Sequence, residues 1–76
     1  MLEAFILIQT DVGRAAAVAQ EIRGIAGVAE AADVTGPFDV IARIAAGSLE
    51  ELSQLVDRLG GVEGTTRTLT CNILHL

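Results

Sequence analysis

A chain of 76 residues that is 51% hydrophobic and only 3% aromatic carries its apolar character in Ala, Val, Ile and Leu. Folding at this length buries only about 60% of the unfolded chain's surface, so the surplus of small apolar side chains points to self-association, and the initial Met to one complete small domain. A net charge of −5, with five arginines scattered among ten acids, excludes the clustered cations of a phosphate-binding surface, and no apolar run nears the roughly 18 residues of a membrane span.

The first element is EAFILIQT, Glu3 to Thr10, an apolar run rich in Ile and Phe that the turn-prone TDVG closes. It reads as a strand, and with its early acid and no basic segment it does not look like a signal peptide. Ala15, Val18, Ala19, Ile22 and Ile25 then recur at helical spacing, with Gln20, Glu21 and Arg23 opposite. That pattern predicts an amphipathic helix over 13–25, ended by Gly27. Residues 28–35 form a weaker strand, TGP turns the chain, and DVIARIAA predicts a strand over 39–46. Ser48 with Glu51 three residues later is the capping-box spacing. It opens a helix over 48–59 whose apolar stripe is Leu49, Leu52, Val56 and Leu59 and whose stop is Gly60 and Gly61. The last strand, over 64–74, is rich in Thr. Its single Cys71 allows no internal disulfide and no metal pair, fits reducing, cytosolic surroundings, and reads as a small buried apolar side chain. His75 has no second ligand at metal spacing, so neither a metal site nor a cofactor is expected.

The order is βαββαβ, and a repeat supports it. A shift of 34 residues lays Gly13 on Gly47, Val18 on Leu52, Ile22 on Val56, Ile25 on Leu59, Gly27 on Gly61 and Val28 on Val62. Two equivalent βαβ units in so short a chain predict an α+β, ferredoxin-like sandwich, with a four-stranded antiparallel sheet and both helices on one face. A sheet covered on one face alternates apolar and polar residues. Here Ala4, Ile6 and Ile8 back onto Phe5 and Leu7, while Val40, Ala42 and Ile44 back onto Ile41 and Ala45 around Arg43. With both faces apolar, a homodimer packed through the sheet is expected.

Three stretches then carry a resemblance along almost the whole length: VGRAAAVAQEI, GVAEAADVTGPFDVIARI and LGGVEGTTRTLT. The chain resembles the effector-binding domain, often called RAM, of the leucine-responsive regulator/AsnC family. The glycine–x–aromatic–Asp turn entering a strand is the most specific of the shared features. Full-length members carry a helix-turn-helix DNA-binding domain, so the resemblance is to a stand-alone RAM domain that binds no nucleic acid directly. It implies dimers that assemble into a ring, an octamer or decamer, with an amino-acid effector at the dimer–dimer interface, and it allows co-assembly with full-length regulators.

Within that resemblance the ligand-binding candidates are Gly36, Phe38, Asp39, Thr66 and Thr68. Asp39 has two readings: a strand-opening acid that accepts a backbone hydrogen bond, or the partner of a ligand ammonium in a charge-assisted pair. Gly36 allows close backbone approach, whereas Pro37 has no N–H to offer. Thr65, Thr66 and Thr68 read as strand formers or as hydroxyl donors to a neighbouring subunit's ligand, and Arg14 as a partner for an acid of another chain. No catalytic residue is expected. The alternatives are a small dimeric α+β barrel enzyme, disfavoured by the lack of Tyr and Trp, or a structural partner of DNA-binding relatives; an ACT-type regulatory domain has the same pattern.

Overall fold

Six elements follow one another in the computed structural model, which describes residues 1–75: β1 (Leu2–Thr10), α1 (Ala15–Arg23), β2 (Val28–Asp33), β3 (Val40–Ala46), α2 (Leu49–Gly60) and β4 (Thr65–Asn72). The strands form one sheet in the order β2-β3-β1-β4, with every neighbouring pair antiparallel. This is the expected ferredoxin-like βαββαβ sandwich. The expected element ends differ from the observed ones by about two residues.

The two-residue period of the strands decides where the core lies. Ala4, Ile6 and Ile8 of β1 and Val40, Ala42 and Ile44 of β3 are fully buried beneath Val18, Ala19 and Ile22 of α1 and Leu52, Leu55 and Leu59 of α2. Each large aliphatic side chain so buried contributes about 1.5–3 kcal/mol. Phe5, Leu7, Ile41, Arg43 and Ala45 alternate onto the opposite face, where no helix covers them, and remain half-buried. Leu69 and Cys71 stand beside Leu7 and Phe5 on that same open face.

Several sequence expectations need correction. Helix α1 stops at Arg23, where Gly24 donates its N–H to the carbonyls of Glu21 and Ile22; Gly27 is instead a turn residue at φ +97. In α2 it is Leu55 that is buried, while Leu49 is 67% exposed. Leu55 and Val56 stand only about 100° apart on a helix, so spacing admits either, and the sheet takes Leu55 fully and Val56 in part. Cys71 is exposed rather than buried, because its register places it on the uncovered face. The capping box is present but shifted: Ser48 Oγ accepts from the Glu51 N–H at 3.2 Å, while Glu51 Oε2 accepts from Gly47 N at 3.0 Å instead of from Ser48.

A further correction concerns the internal repeat. From the body of each helix onward its true period is 37 residues. Gly24 and Gly61 are the two C-terminal helix caps, at φ −82 and −88, and Gly27 and Gly64, two of the four glycines at positive φ, turn the chain after them at φ +97 and +98. Ile22 and Leu59 are equally buried, as are Ile25 and Val62. A slip of three residues turns an amphipathic stripe by only about 60°. Apolar matching therefore fits 34 nearly as well, and glycine geometry separates the two. These two turn glycines lie against the other half's helix, Gly27 against Leu55 and Gly64 against Val18.

Candidate functional site

The turn that carries Gly36, Phe38 and Asp39 is held against the end of β1. Asp39 donates its N–H to the Ile8 carbonyl at 2.9 Å and accepts on its own carbonyl from Val34 N at 2.8 Å. Its carboxylate reaches further, with Oδ2 accepting from Thr10 N at 2.8 Å. The Gln9 amide donates to the Pro37 carbonyl at 3.1 Å, which fixes the outer limb of the turn. A carboxylate held by its own backbone and by a second strand is pre-oriented, and Oδ1 is left without a protein partner among the described residues. Gly36, at φ +125, is exposed, and a Cβ placed there would meet nothing within 4 Å. The backbone beside the acid is thus open to approach.

Both sequence readings of Asp39 retain a place in this geometry. The carboxylate does accept a backbone hydrogen bond, but from Thr10, 29 residues away, and not from its own turn. Thr66 and Thr68 lie apart from it. They belong to β4, on the far side of β1 from β3, so about two strand spacings, roughly 10 Å, separate them from Asp39. Thr68 stands opposite Ile8 and so faces the helix layer; Thr66 falls in the irregularity where Gln9–Arg67 pairing gives way to Thr10–Thr65. Neighbouring Thr65 has a buried hydroxyl with no hydrogen-bond partner. One protomer therefore gathers Gly36, Phe38 and Asp39 but does not bring the threonines to them. Arg14 caps α1 without a side-chain cap bond and lies over Gly64 of its own chain.

Sequence reasoning missed a cluster on the open face. Arg43 donates from Nη1 to Glu3 Oε1 at 3.0 Å and from Nε to Glu30 Oε1 at 3.2 Å. These residues are 40 and 13 positions apart in the chain, and only the sheet register unites them. The signal was present in their parity, since each occupies an outward position of its strand. The larger concavities of the protomer also lie away from Asp39: one between the ends of α1 and α2, lined by Glu21, Ile25, Arg58 and Val62, and one beside the start of α2, lined by Leu2, Leu49 and Ile73; a smaller one opens on the uncovered sheet face, lined by Phe5, Ile41 and Arg43. Among the described residues no three His, Cys, Asp or Glu side chains gather as a metal site, and no helix is long and apolar enough to cross a membrane.

Residues 3–75 match the family model of the Lrp/AsnC ligand-binding domain. The chain belongs to that family. As a member of the Lrp/AsnC ligand-binding domains it is an effector-binding module of the kind that serves transcription regulation. The HTH-type transcriptional regulator FL11 of Pyrococcus furiosus is 32% identical to it over 73 residues, 96% of this chain and 48% of that regulator. The chain thus spans about half the length of the curated regulators it matches. A 58-residue stretch, 76% of the chain, is 31% identical to 13% of the length of a homocitrate synthase from Sulfurisphaera tokodaii. Among solved structures, TTHA0845 from Thermus thermophilus superposes with a TM-score of 0.91 at 34% identity, covering 100% of this chain and 96% of that one. A transcriptional regulator from Neisseria meningitidis, solved as a complex with L-Met, shares the Lrp/AsnC domain fold with a TM-score of 0.84 at 22% identity, covering 97% of this chain and 50% of that one.

Proposed function

We propose that this domain binds an amino-acid effector between protomers and passes its occupancy on as a change of assembly, with no catalysis of its own. The observation that carries this reading is Asp39, a half-buried carboxylate tied to β1 through Oδ2, with no hydrogen-bond partner at Oδ1 among the described residues and with the exposed backbone of Gly36 three residues before it. On this reading Oδ1 pairs with the α-ammonium, and N–H groups of the Phe38 turn receive the α-carboxylate. Thr66 and Thr68 come from a neighbouring protomer, since their own β1 stands between them and Asp39. The complex that the Neisseria regulator forms with L-Met supports an amino acid as the class of effector.

The assembly is a homodimer through the open sheet face, built up into a ring of four or five dimers. The half-buried Phe5, Leu7 and Ile41 support it. The domain itself works in the cytoplasm and offers no clustered cations for contact with DNA, and its similarity to half of FL11 supports co-assembly with full-length regulators. The absence of Tyr and Trp from the chain and the terminal position of its one His support a binding role over an enzymatic one, and the small share of the homocitrate synthase that is matched fits an accessory domain.

A thermal-shift screen of the twenty amino acids on purified protein, with its mass in solution, tests the reading. Ligand at a hundred times its dissociation constant stabilises by about 2.7 kcal/mol, which is on the order of 10–20 °C for a domain this small. A screen in which no amino acid moves the transition would refute it.

A further inference from the structure

Two charged groups with no full compensation lie at opposite corners of the open sheet face. The Glu3–Arg43–Glu30 cluster sets two carboxylates against one guanidinium. Glu30 is its outer member, with a side chain 68% exposed and only Oε1 engaged. Arg67 stands opposite Gln9 on β4, facing the same side as Leu7, and among the described residues no carboxylate lies within 4.0 Å of it. The surface between these corners is apolar. The two longer dimensions of the molecule, 33 and 21 Å, bound a face close in size to the roughly 800 Å² per partner of a standard interface.

Register places the two corners. Glu30 shares a row with Arg43, Phe5 and Cys71, while Arg67 shares a row with Gln9, four residues further along β1. They are therefore separated by three strand spacings, about 14 Å, across the sheet and by about 13 Å along it. We propose that Arg67 of each copy pairs with Glu30 of the other when two copies stack their sheets, and that this exchange sets the orientation of the dimer. The inference rests on the sheet-to-sheet dimer proposed above.

Geometry makes the pairing selective. A two-fold axis between the stacked sheets brings each Arg67 over the opposing Glu30 only when it runs at about 45° to the strands. The strands of the two sheets then cross at about 90°, one of the two preferred ways for sheets to pack. The axis itself passes over the Leu7–Ile41 row, so the apolar centre closes while the charges meet at the rim. Other acids on this face suit Arg67 less. The Glu3 side chain is half as exposed as that of Glu30 and makes the shorter bond to Arg43, 3.0 Å against 3.2 Å; Asp39 has Oδ2 held by Thr10 N, and on the reading above its Oδ1 pairs with the effector. Charge pairs of this kind act mainly by excluding wrong registers.

Sedimentation of the full chain tests the pairing. Glu30→Arg and Arg67→Glu should each weaken dimerisation by about tenfold or more, through like charges brought together, and the double swap should restore it to within about threefold. Combining Glu3→Arg with Arg67→Glu should not. Restoration by that second combination, or dimerisation of both single variants at the wild-type level, overturns the pairing. Phe5→Asp separates the charge pairing from the stacking beneath it: it should give monomers whatever the orientation. A wild-type chain that is already monomeric, or a Phe5→Asp variant as large as wild type, defeats the sheet dimer itself. Should a charge reversal unfold the chain by circular dichroism, Glu30→Gln and Arg67→Gln take its place. Wild-type dimerisation should then weaken with salt and that of both Gln variants should not; equal salt dependence in all three overturns the proposal.

Discussion

Replacing Asp39 by Asn and by Ala separates a tie within the fold from recognition of a ligand. Asp39 Oδ2 accepts the part-buried Thr10 N–H at 2.8 Å. A hydrogen bond to a charged acceptor contributes about 1.5–3 kcal/mol and one between neutral groups about 0.5–1.5, so Asp39→Asn, which keeps an acceptor oxygen, should cost about 1 kcal/mol. Asp39→Ala leaves the Thr10 N–H unpaired and should cost about 2 kcal/mol. In a domain of this size 1 kcal/mol moves the melting temperature by about 4–8 °C, so the two variants should be resolved by a thermal scan. Ligand pairing adds a second, independent readout. Loss of the charge should weaken amino-acid binding at least tenfold in either variant, about 1.4 kcal/mol. The stabilisation given by a fixed ligand excess should shrink by that same amount. Calorimetry with the best ligand of the screen decides. If Asp39→Ala lowers the melting temperature while affinity stays within about threefold of wild type, Asp39 is a strand tie alone and the effector site lies elsewhere.

Leu7→Asp should put a charge into the dry centre of the sheet-to-sheet contact, at a cost of several kcal/mol, and give a smaller species by sedimentation; unchanged size would refute that contact. Gly27→Ala should destabilise by about 3 kcal/mol, joining left-handed strain to overpacking, because its Cβ would lie 2.7 Å from Leu55 Cδ2 and 3.2 Å from the Ala45 carbonyl. Gly13→Ala, with φ +79 and nothing within 4 Å, should cost only about 1 kcal/mol, and equal melting temperatures for these two variants would contradict the packing described. The purified domain, at a net charge of −5, should show no salt-sensitive retention of duplex DNA, and such retention would contradict the absence of a phosphate-binding surface on it.

What the sequence disclosed follows from which interactions are periodic. The strands showed themselves through the parity of Ala4, Ile6 and Ile8 against Phe5 and Leu7, and α2 through Ser48 and Glu51, whose spacing is a chemical requirement of the cap. The period of the repeat was misjudged because a three-residue slip barely rotates a helical face, whereas backbone φ at Gly27 and Gly64 is invisible in a pattern of apolar letters. The turn at Gly36–Asp39 was legible from its residue types. That its carboxylate would reach Thr10 was not, since the bond depends on β3 pairing with β1. The Glu3–Arg43–Glu30 cluster was hidden for the same reason, spread over three strands that only the sheet order brings together. Thr66 and Thr68 were grouped with Asp39 through the family resemblance, and strand order separates them within one chain.

The 37-residue repeat bears on how such a domain comes into being. Neither half contains a strand pair of its own: β1 lies between β3 and β4, and β2 pairs only with β3. The turn glycines Gly27 and Gly64 also lie against the other half's helix, Leu55 over Gly27 and Val18 over Gly64. A lone βαβ fragment would therefore expose two unpaired strands and an open helix face, and stay unfolded. If the repeat records a gene duplication, the ancestral half-length chain folded as an intertwined pair of identical fragments, and the link between β2 and β3 was the fusion that made one polypeptide of two. Cutting that link should leave fragments that are unstructured apart and complement each other when mixed.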